Sequence, residues 1–258
     1  MFLSHAALKD LRALKLKKHR MAQGRFVVEG SRLVTEAVRA GRATQLFATK
    51  QFLDGPHWTP LEPLIQEPTV PVEQLTATQA EQLADTRQPQ GVFAVVRLPE
   101  VLKAPAELPP LPVVILDEIS DPGNLGTLLR TADWFGIPAV LVSATSADIY
   151  NPKVVRGGMG AHFHIPHLVQ TDLAGYAENL RRERVPIIGA TLDGKPLESL
   201  AEVSTAWALV LGSEVHGLSP FWRERLTKAI TIPGQGQAES LNVAVAGGIL
   251  LYHLPGRD

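Results

Sequence analysis

Ile230-Thr-Ile-Pro-Gly-Gln-Gly-Gln-Ala-Glu-Ser-Leu-Asn-Val-Ala-Val-Ala-Gly-Gly-Ile-Leu-Leu251 reads as a short strand, a Gly-rich loop and a helix. Ile230 and Ile232 alternate with Thr231, as one strand face requires. Pro233, Gly234 and Gly236 end the strand. Ser240 stands where a helix cap belongs, with the helix starting at Leu241. That helix is apolar nearly all round, which predicts burial. A buried Asn242 amide then needs partners. A helix mouth that offers free N–H groups beside Ser240 and Asn242, after Glu239, suits a polar ligand.

The same strand–loop–helix grammar runs upstream. Val113-Val-Ile-Leu116 is continuously apolar, as strands buried on both faces of a parallel sheet are. Asp121-Pro122 supplies an N-cap and a first-turn proline. The helix that follows presents Leu125, Leu128, Leu129, Ala132 and Phe135 on one face and stops at Gly136. Further strands are expected at 139–142, 186–190 and 206–211. Residues 113–258 therefore form an α/β domain of about 145 residues, an ordinary size.

A smaller α/β domain is expected at 1–98. Leu8, Leu11, Leu14 and Leu16 among cations predict one amphipathic helix over 5–19. Phe26–Val28 predicts a strand, and Glu29-Gly30-Ser31 turns into a helix carrying Leu33, Val34, Ala37 and Val38 inward and ending at Gly41. Strands at 46–48 and 91–96 and a helix at 76–83 complete it. Residues 54–71 are Pro-rich and carry little pattern. Pro99, Pro105, Pro109, Pro110 and Pro112 mark a linker over 99–112.

The net charge of −1 hides an asymmetry. Residues 1–42 hold ten Lys/Arg against three acids, 10 − 3 = +7, which leaves −8 for the rest. That predicts a basic binding surface at the N-terminus. The chain has no Cys, which excludes disulfides and thiolate chemistry and fits a reducing, cytoplasmic setting. The first twenty residues contain no apolar core of a signal peptide, and no apolar run reaches the ~18 residues of a membrane span. His162, His164 and His167 suggest a metal only weakly, since alternation would put the first two on one strand face without a carboxylate at matching spacing. No metal is expected.

Three stretches place polar residues after predicted strands, where open α/β sheets bind ligands. The first contains Asp121, Pro122, Asn124, Gly126, Arg130, Thr131, Ala132 and Gly136; the second Gly212, Ser213, Glu214, Gly217 and Leu218; the third Ile232, Pro233, Ser240, Leu241, Asn242, Val243 and Ala246. In that order and spacing they resemble the SpoU (TrmH-like) family of RNA ribose 2′-O-methyltransferases, of the SPOUT superfamily. Phe26–Val34 and Gln90-Gly91-Val92 resemble that family's ribosomal-protein-like substrate-binding domain. Gly157-Gly158 departs from the family's small residue and Ser.

The resemblance implies a C-terminal SPOUT domain with a deep trefoil knot, and S-adenosylmethionine as cofactor. It implies cofactor contacts around Thr191, Leu192, Gly212, Gly217, Ile232, Pro233, Leu241 and Asn242. Catalytic roles fall to Asn124, Arg130, Glu214, Ser240 and Asn242, with Arg130 gripping a phosphate through its planar fork. Lys17, Lys18, Arg20, Arg25 and Arg32 become the candidates for RNA contact. The substrate implied is ribosomal RNA. The alternatives are a tRNA 2′-O-methyltransferase and a non-catalytic RNA-binding ribosome-assembly factor of the same fold. A homodimer through the C-terminal domain is also implied. Leu125, Leu128, Leu129, Trp134, Phe135, Val245, Ile249, Leu250 and Tyr252 exceed what one helix layer needs, which agrees with an interface. Ala244, Ala246, Gly247 and Gly248 fit close helix packing.

Overall fold

A computed structural model describes residues 3–66, 70–99, 108–197 and 204–254. The chain divides into two compact units, 1–101 with 150–163, and 102–149 with 164–258. Of the expected linker, residues 100–107 lie outside the described residues.

The first unit is a four-stranded mixed sheet with helices on it. Its elements are α1 (His5–Ala13), α2 (Lys17–Gln23), β1 (Arg25–Glu29), α3 (Ser31–Arg39), β2 (Ala43–Thr49), α4 (Lys50–Leu53), a 3-10 turn (Glu62–Ile65), β3 (Val72–Leu75), α5 (Ala77–Leu83) and β4 (Val92–Arg97). The strand order is β1-β4-β2-β3. Leu8, Leu11 and Leu14 pack with Phe47, Leu83, Phe93 and Val95 in one core cluster. Leu33, Val34, Ala37 and Val38 are buried on α3, as their spacing requires. Gly41 ends that helix at φ +64°. Thr76 and Gln79 cap α5 reciprocally in a capping box. The later segment α7 (Pro152–Gly158) also belongs to this unit, with Tyr150 against Phe26 at 5.0 Å between ring centroids.

One long helix over 5–19 is not what forms. The chain breaks at Leu14–Leu16, because Arg20 folds back and donates Nη1 to Leu14 O and Lys15 O at 2.7 Å each. That satisfies carbonyls a helix end leaves open. Pattern reading also passed over β3 and α4, both only four residues long.

The second unit carries a six-stranded sheet, parallel throughout, in the order β10-β8-β9-β5-β6-β7. Its strands are β5 (Val113–Leu116), β6 (Ala139–Ser143), β7 (His167–Thr171), β8 (Ile187–Pro196), β9 (Ala208–Leu211) and β10 (Lys228–Thr231). Its helices are α6 (Pro122–Trp134), α9 (Ala174–Arg182), α10 (Pro220–Arg223) and α11 (Val243–His253); α8 (Ala161–His164) straddles the boundary between the units. β5 is central and fully buried, as its unbroken apolar run requires. Tyr176, Leu180, Leu218 and Trp222 pack with inward residues of β5, β6 and β9 in one cluster. α6 packs against α11. A Cβ on Gly247 would lie 2.6 Å from Leu128 Cδ2 and 2.8 Å from Leu211 Cδ1, so a larger residue there would have to push both leucines aside.

The fold departs from the sequence pattern at three further places. The last helix starts at Val243, not Leu241; Asn242 is its N-cap and accepts from Ala244 N and Val245 N, so Ser240 caps nothing. That helix is one-sided rather than buried all round: Val243, Ala244, Gly247, Leu250 and Leu251 face inward, while Val245 is 52 % and Tyr252 75 % exposed. His162 and His164 sit on a helical turn, not a strand; His162 is buried beside Tyr150, and His164 Nδ1 pairs with Asp133 at 2.9 Å. Among the described residues there is no cluster able to hold a metal, and no helix is long and apolar enough to cross a membrane.

Candidate active site

The three motif loops leave the carboxyl ends of β5, β9 and β10. Asp121 caps α6 through Asn124 N at 2.8 Å, which fixes Asn124 in the helix's first turn. The second loop folds on itself. Gly217 N donates to Ser213 O at 2.8 Å, and Gly217 sits at φ +67°. A Cβ on Gly212 would meet Gly217 C and O at 2.4 Å, so the turn closes only over glycine. The third loop, residues 233–241, is exposed throughout and ends at the Asn242 cap.

Side chains join the loops. Asn124 Nδ2 donates to Glu214 Oε1 at 2.5 Å, and Asn242 Nδ2 donates to Asn124 Oδ1 at 2.9 Å. The result is a chain Glu214–Asn124–Asn242 that ends on the first amides of α11. Asn242 is exposed, so the expected buried amide is not there; its partners are found at the surface instead. Arg130 is exposed on α6 and makes no hydrogen bond or ion pair among the described residues. Ser240 is exposed in the third loop and has no hydrogen bond there either.

The expected cofactor positions lie within β8, just after β9 and β10, and at the mouth of α11. Thr191 and Leu192 stand within β8, which runs to Pro196 rather than ending at residue 190. Gly194 explains the extension: a Cβ there would lie 2.5 Å from Ile230 backbone atoms, so β8 and β10 press together. Thr191 Oγ1 is buried with no hydrogen-bond partner among the described residues. Leu192 is 75 % exposed, Leu241 48 % and Val215 78 %. Ile232 and Pro233 lead out of β10.

Asp117 is a positioning residue that motif reading passed over. It is 4 % exposed, and Oδ2 accepts Ser219 N at 2.8 Å, tying the β5 loop to the β9 loop. Next to it Glu118 adopts φ +57°. Its amide donates to Ser143 Oγ at 2.9 Å, and Ile119 N donates to Ser146 Oγ at 3.0 Å. The one sequence signal was an Asp directly after a buried strand.

The RNA candidates divide. Lys17, Lys18 and Arg32 are exposed. Arg25 is bound to Asp10 at 2.6 Å. Arg20 is 2 % exposed and committed to backbone carbonyls, so it is withdrawn from the RNA-binding set.

Comparison with known proteins gives a consistent result. The family model described as the SpoU rRNA Methylase family matches residues 112–252, and the MRM3-like substrate binding domain matches residues 6–94. A 23S rRNA (guanosine(2553)-2′-O)-methyltransferase of Bacillus subtilis is 36 % identical over 96 % of this chain and 96 % of its own. A 23S rRNA (guanosine-2′-O-)-methyltransferase of Bordetella pertussis is 37 % identical over 70 % of this chain and 76 % of its own. Among solved structures, a TrmH-family protein of Porphyromonas gingivalis aligns at TM-score 0.82 with 34 % identity over 98 % of both chains. A SpoU methyltransferase of Streptomyces viridochromogenes in complex with AdoMet aligns at 0.80 with 28 % identity over 97 % of both.

Proposed function

Since the chain belongs to the SpoU rRNA methylase family, we propose a working scheme for its three loops. The protein is an S-adenosylmethionine-dependent RNA methyltransferase that acts on a ribose 2′-hydroxyl in ribosomal RNA. The carrying observation is the Glu214–Asn124–Asn242 chain, which joins all three motif loops.

The loops suit the cofactor. Buried Thr191 Oγ1 has spare hydrogen-bonding capacity, and exposed Leu192, Val215 and Leu241 offer apolar surface to a nucleoside. Thr191, Leu192, Gly212, Gly217, Ile232, Pro233, Leu241 and Asn242 would hold it. When bound, S-adenosylmethionine supplies an electrophilic sulfonium methyl. The protein's part is positioning, which can carry much of the barrier when the hydroxyl is held in line. Arg130, exposed and uncommitted, takes the phosphate beside the target ribose. Asn124 has both ends of its amide engaged, so it holds Glu214 and Asn242 in place. Ser240 and the outer face of Glu214 are left to orient the ribose.

Three finer features belong to the same proposal. Residues 1–98 bind RNA and 113–258 perform the transfer, joined by 99–112, a division supported by the two family matches. The C-terminal segment is knotted, in keeping with the close β8–β10 approach at Gly194 and the fit of Gly247. Two copies pair through α6 and α11, where Trp134 (84 %), Val245 and Tyr252 stand exposed, and Arg130 of each serves the other's pocket. A cytoplasmic enzyme fits this substrate. The names of the relatives support a guanosine in 23S rRNA as the target.

Incubating the protein with labelled S-adenosylmethionine and unmodified 23S rRNA tests the scheme. One alkali-resistant dinucleotide carrying the label is expected. Label on a base, or label in tRNA alone, would contradict it.

A further inference from the structure

The corner between α1 and α2 carries a surface outside the three motif loops. Residues 1–28 contain seven Lys/Arg and one carboxylate, Asp10. Asp10 is occupied by Arg25 at 2.6 Å and Gln23 at 2.8 Å. Lys15 donates to Ala84 O at 2.6 Å, and Arg20 is buried. Lys9, Arg12, Lys17 and Lys18 remain exposed, with no hydrogen bond or ion pair among the described residues. Four exposed cations that pair with no acid among the described residues suit a polyanion.

Two apolar side chains are set among them. Met21 is 47 % exposed and lies one helical turn beyond Lys17 and Lys18, so the three share a face of α2. Leu16, 55 % exposed, stands at the mouth of that helix. The corner is braced, because the Arg20 guanidinium ties α2 to the last carbonyls of α1. Exposed Leu and Met on a fixed, cationic corner have nothing to meet on a regular duplex, which presents phosphates and hides its base faces. An unpaired base offers a flat apolar face next to its own phosphates.

We propose that this corner receives an unpaired nucleotide of a structured RNA. Lys17 and Lys18 hold the flanking phosphates, and Leu16 and Met21 lie against the base. The proposal rests on the RNA methyltransferase reading, and it adds that the N-terminal unit selects RNA with an unstacked base.

Fluorescence anisotropy of the full-length protein tests it. The probes are a labelled hairpin with a single-stranded purine loop, a blunt duplex with the same number of phosphates, and a poly-glutamate peptide. Lys17→Ala with Lys18→Ala should weaken both RNAs and flatten the log–log salt slope by roughly 0.7–0.9 per lost phosphate contact. Leu16→Ser with Met21→Ser should weaken the hairpin about fivefold to tenfold, less than loss of an aromatic platform, and leave the duplex within about twofold. Equal loss on both RNAs, no loss on the hairpin, or tighter binding of the peptide would overturn the proposal. Methylation of 23S rRNA by the wild-type protein, measured alongside, keeps the two readings apart. If methylation is normal and selectivity for the hairpin is absent, only the corner assignment fails; if methylation is absent, the parent reading fails whatever the hairpin does.

Discussion

Asn124 Nδ2 donates to Glu214 Oε1 at 2.5 Å, across 90 residues of sequence. The same amide accepts from Asn242 Nδ2 at 2.9 Å, 118 residues further on. One small side chain therefore links loops from three strands, and each neighbour has a second task. Glu214 stands in a turn that closes over Gly212, and Asn242 caps α11. Asn124 thus bridges these two side chains.

Asn124→Ala should lower kcat by about a hundredfold, the order expected when reacting groups are misplaced by roughly 1 Å. The lost bonds are exposed, so stability should fall by less than about 1.5 kcal/mol. Turnover and thermal melting of the same preparation check this. Near-normal turnover would leave Asn124 as a helix-start residue only.

Asn242 allows its two roles to be separated. Asn242→Asp keeps an N-cap oxygen for Ala244 N and Val245 N but can no longer donate to Asn124 Oδ1. It should melt near wild type and still lose most activity. Asn242→Ala should lose activity and also about 0.5–2 kcal/mol, the usual cost of a missing cap. Equal activity in the Asp variant and the wild type would remove the relay from the account.

Gly212→Ala should weaken S-adenosylmethionine binding, because its Cβ would lie 2.4 Å from Gly217 backbone and force the turn open. Gly234→Ala is the control in the neighbouring loop, where a Cβ meets nothing within 4 Å. Calorimetric titration should show at least a tenfold difference between them, roughly 1.4 kcal/mol.

Sequence pattern carried much of the fold for identifiable reasons. Val113–Leu116 is apolar at every position, so its central burial followed directly. Asp121-Pro122 marked the start of α6 and Gly136 its end, and both hold. The last helix was misplaced by two residues because Ser240 and Asn242 are equally good caps by residue type, and the bond from Asn242 to Asn124, which favours the second, joins segments 118 residues apart. Leu8 to Leu16 read as one helix because periodicity does not register a buried Arg20 that turns the chain. The motif residues were visible individually. Their linkage was not, since no pattern within one segment reports a bond to another.

A pH effect follows from His167. Its Nε2 lies 3.2 Å from Tyr176 Oη, and burial lowers its pKa from the usual 6.5. Above pH 6.5 the imidazole is neutral in folded and unfolded chains alike. As pH falls below 6.5 the unfolded chain binds the proton first, so stability drops, and the loss levels off once the folded His167 titrates. Denaturant midpoints should decline below pH 6.5, and His167→Gln should remove part of that decline. An unchanged pH profile in the variant would assign it to other groups.

The most direct test of the central claim replaces one oxygen in the substrate. First the methylated nucleotide in 23S rRNA is mapped. A minimal RNA that the enzyme accepts is then made twice, once with the native ribose at that nucleotide and once with 2′-deoxyribose, and methyl transfer from labelled S-adenosylmethionine is counted. Stoichiometric label is expected on the native RNA, none on the deoxy RNA although it binds equally well, and with Asn124→Ala an initial rate on the native RNA about a hundredfold lower. Undiminished label on the deoxy RNA would place the methyl elsewhere than the 2′-oxygen and contradict the account.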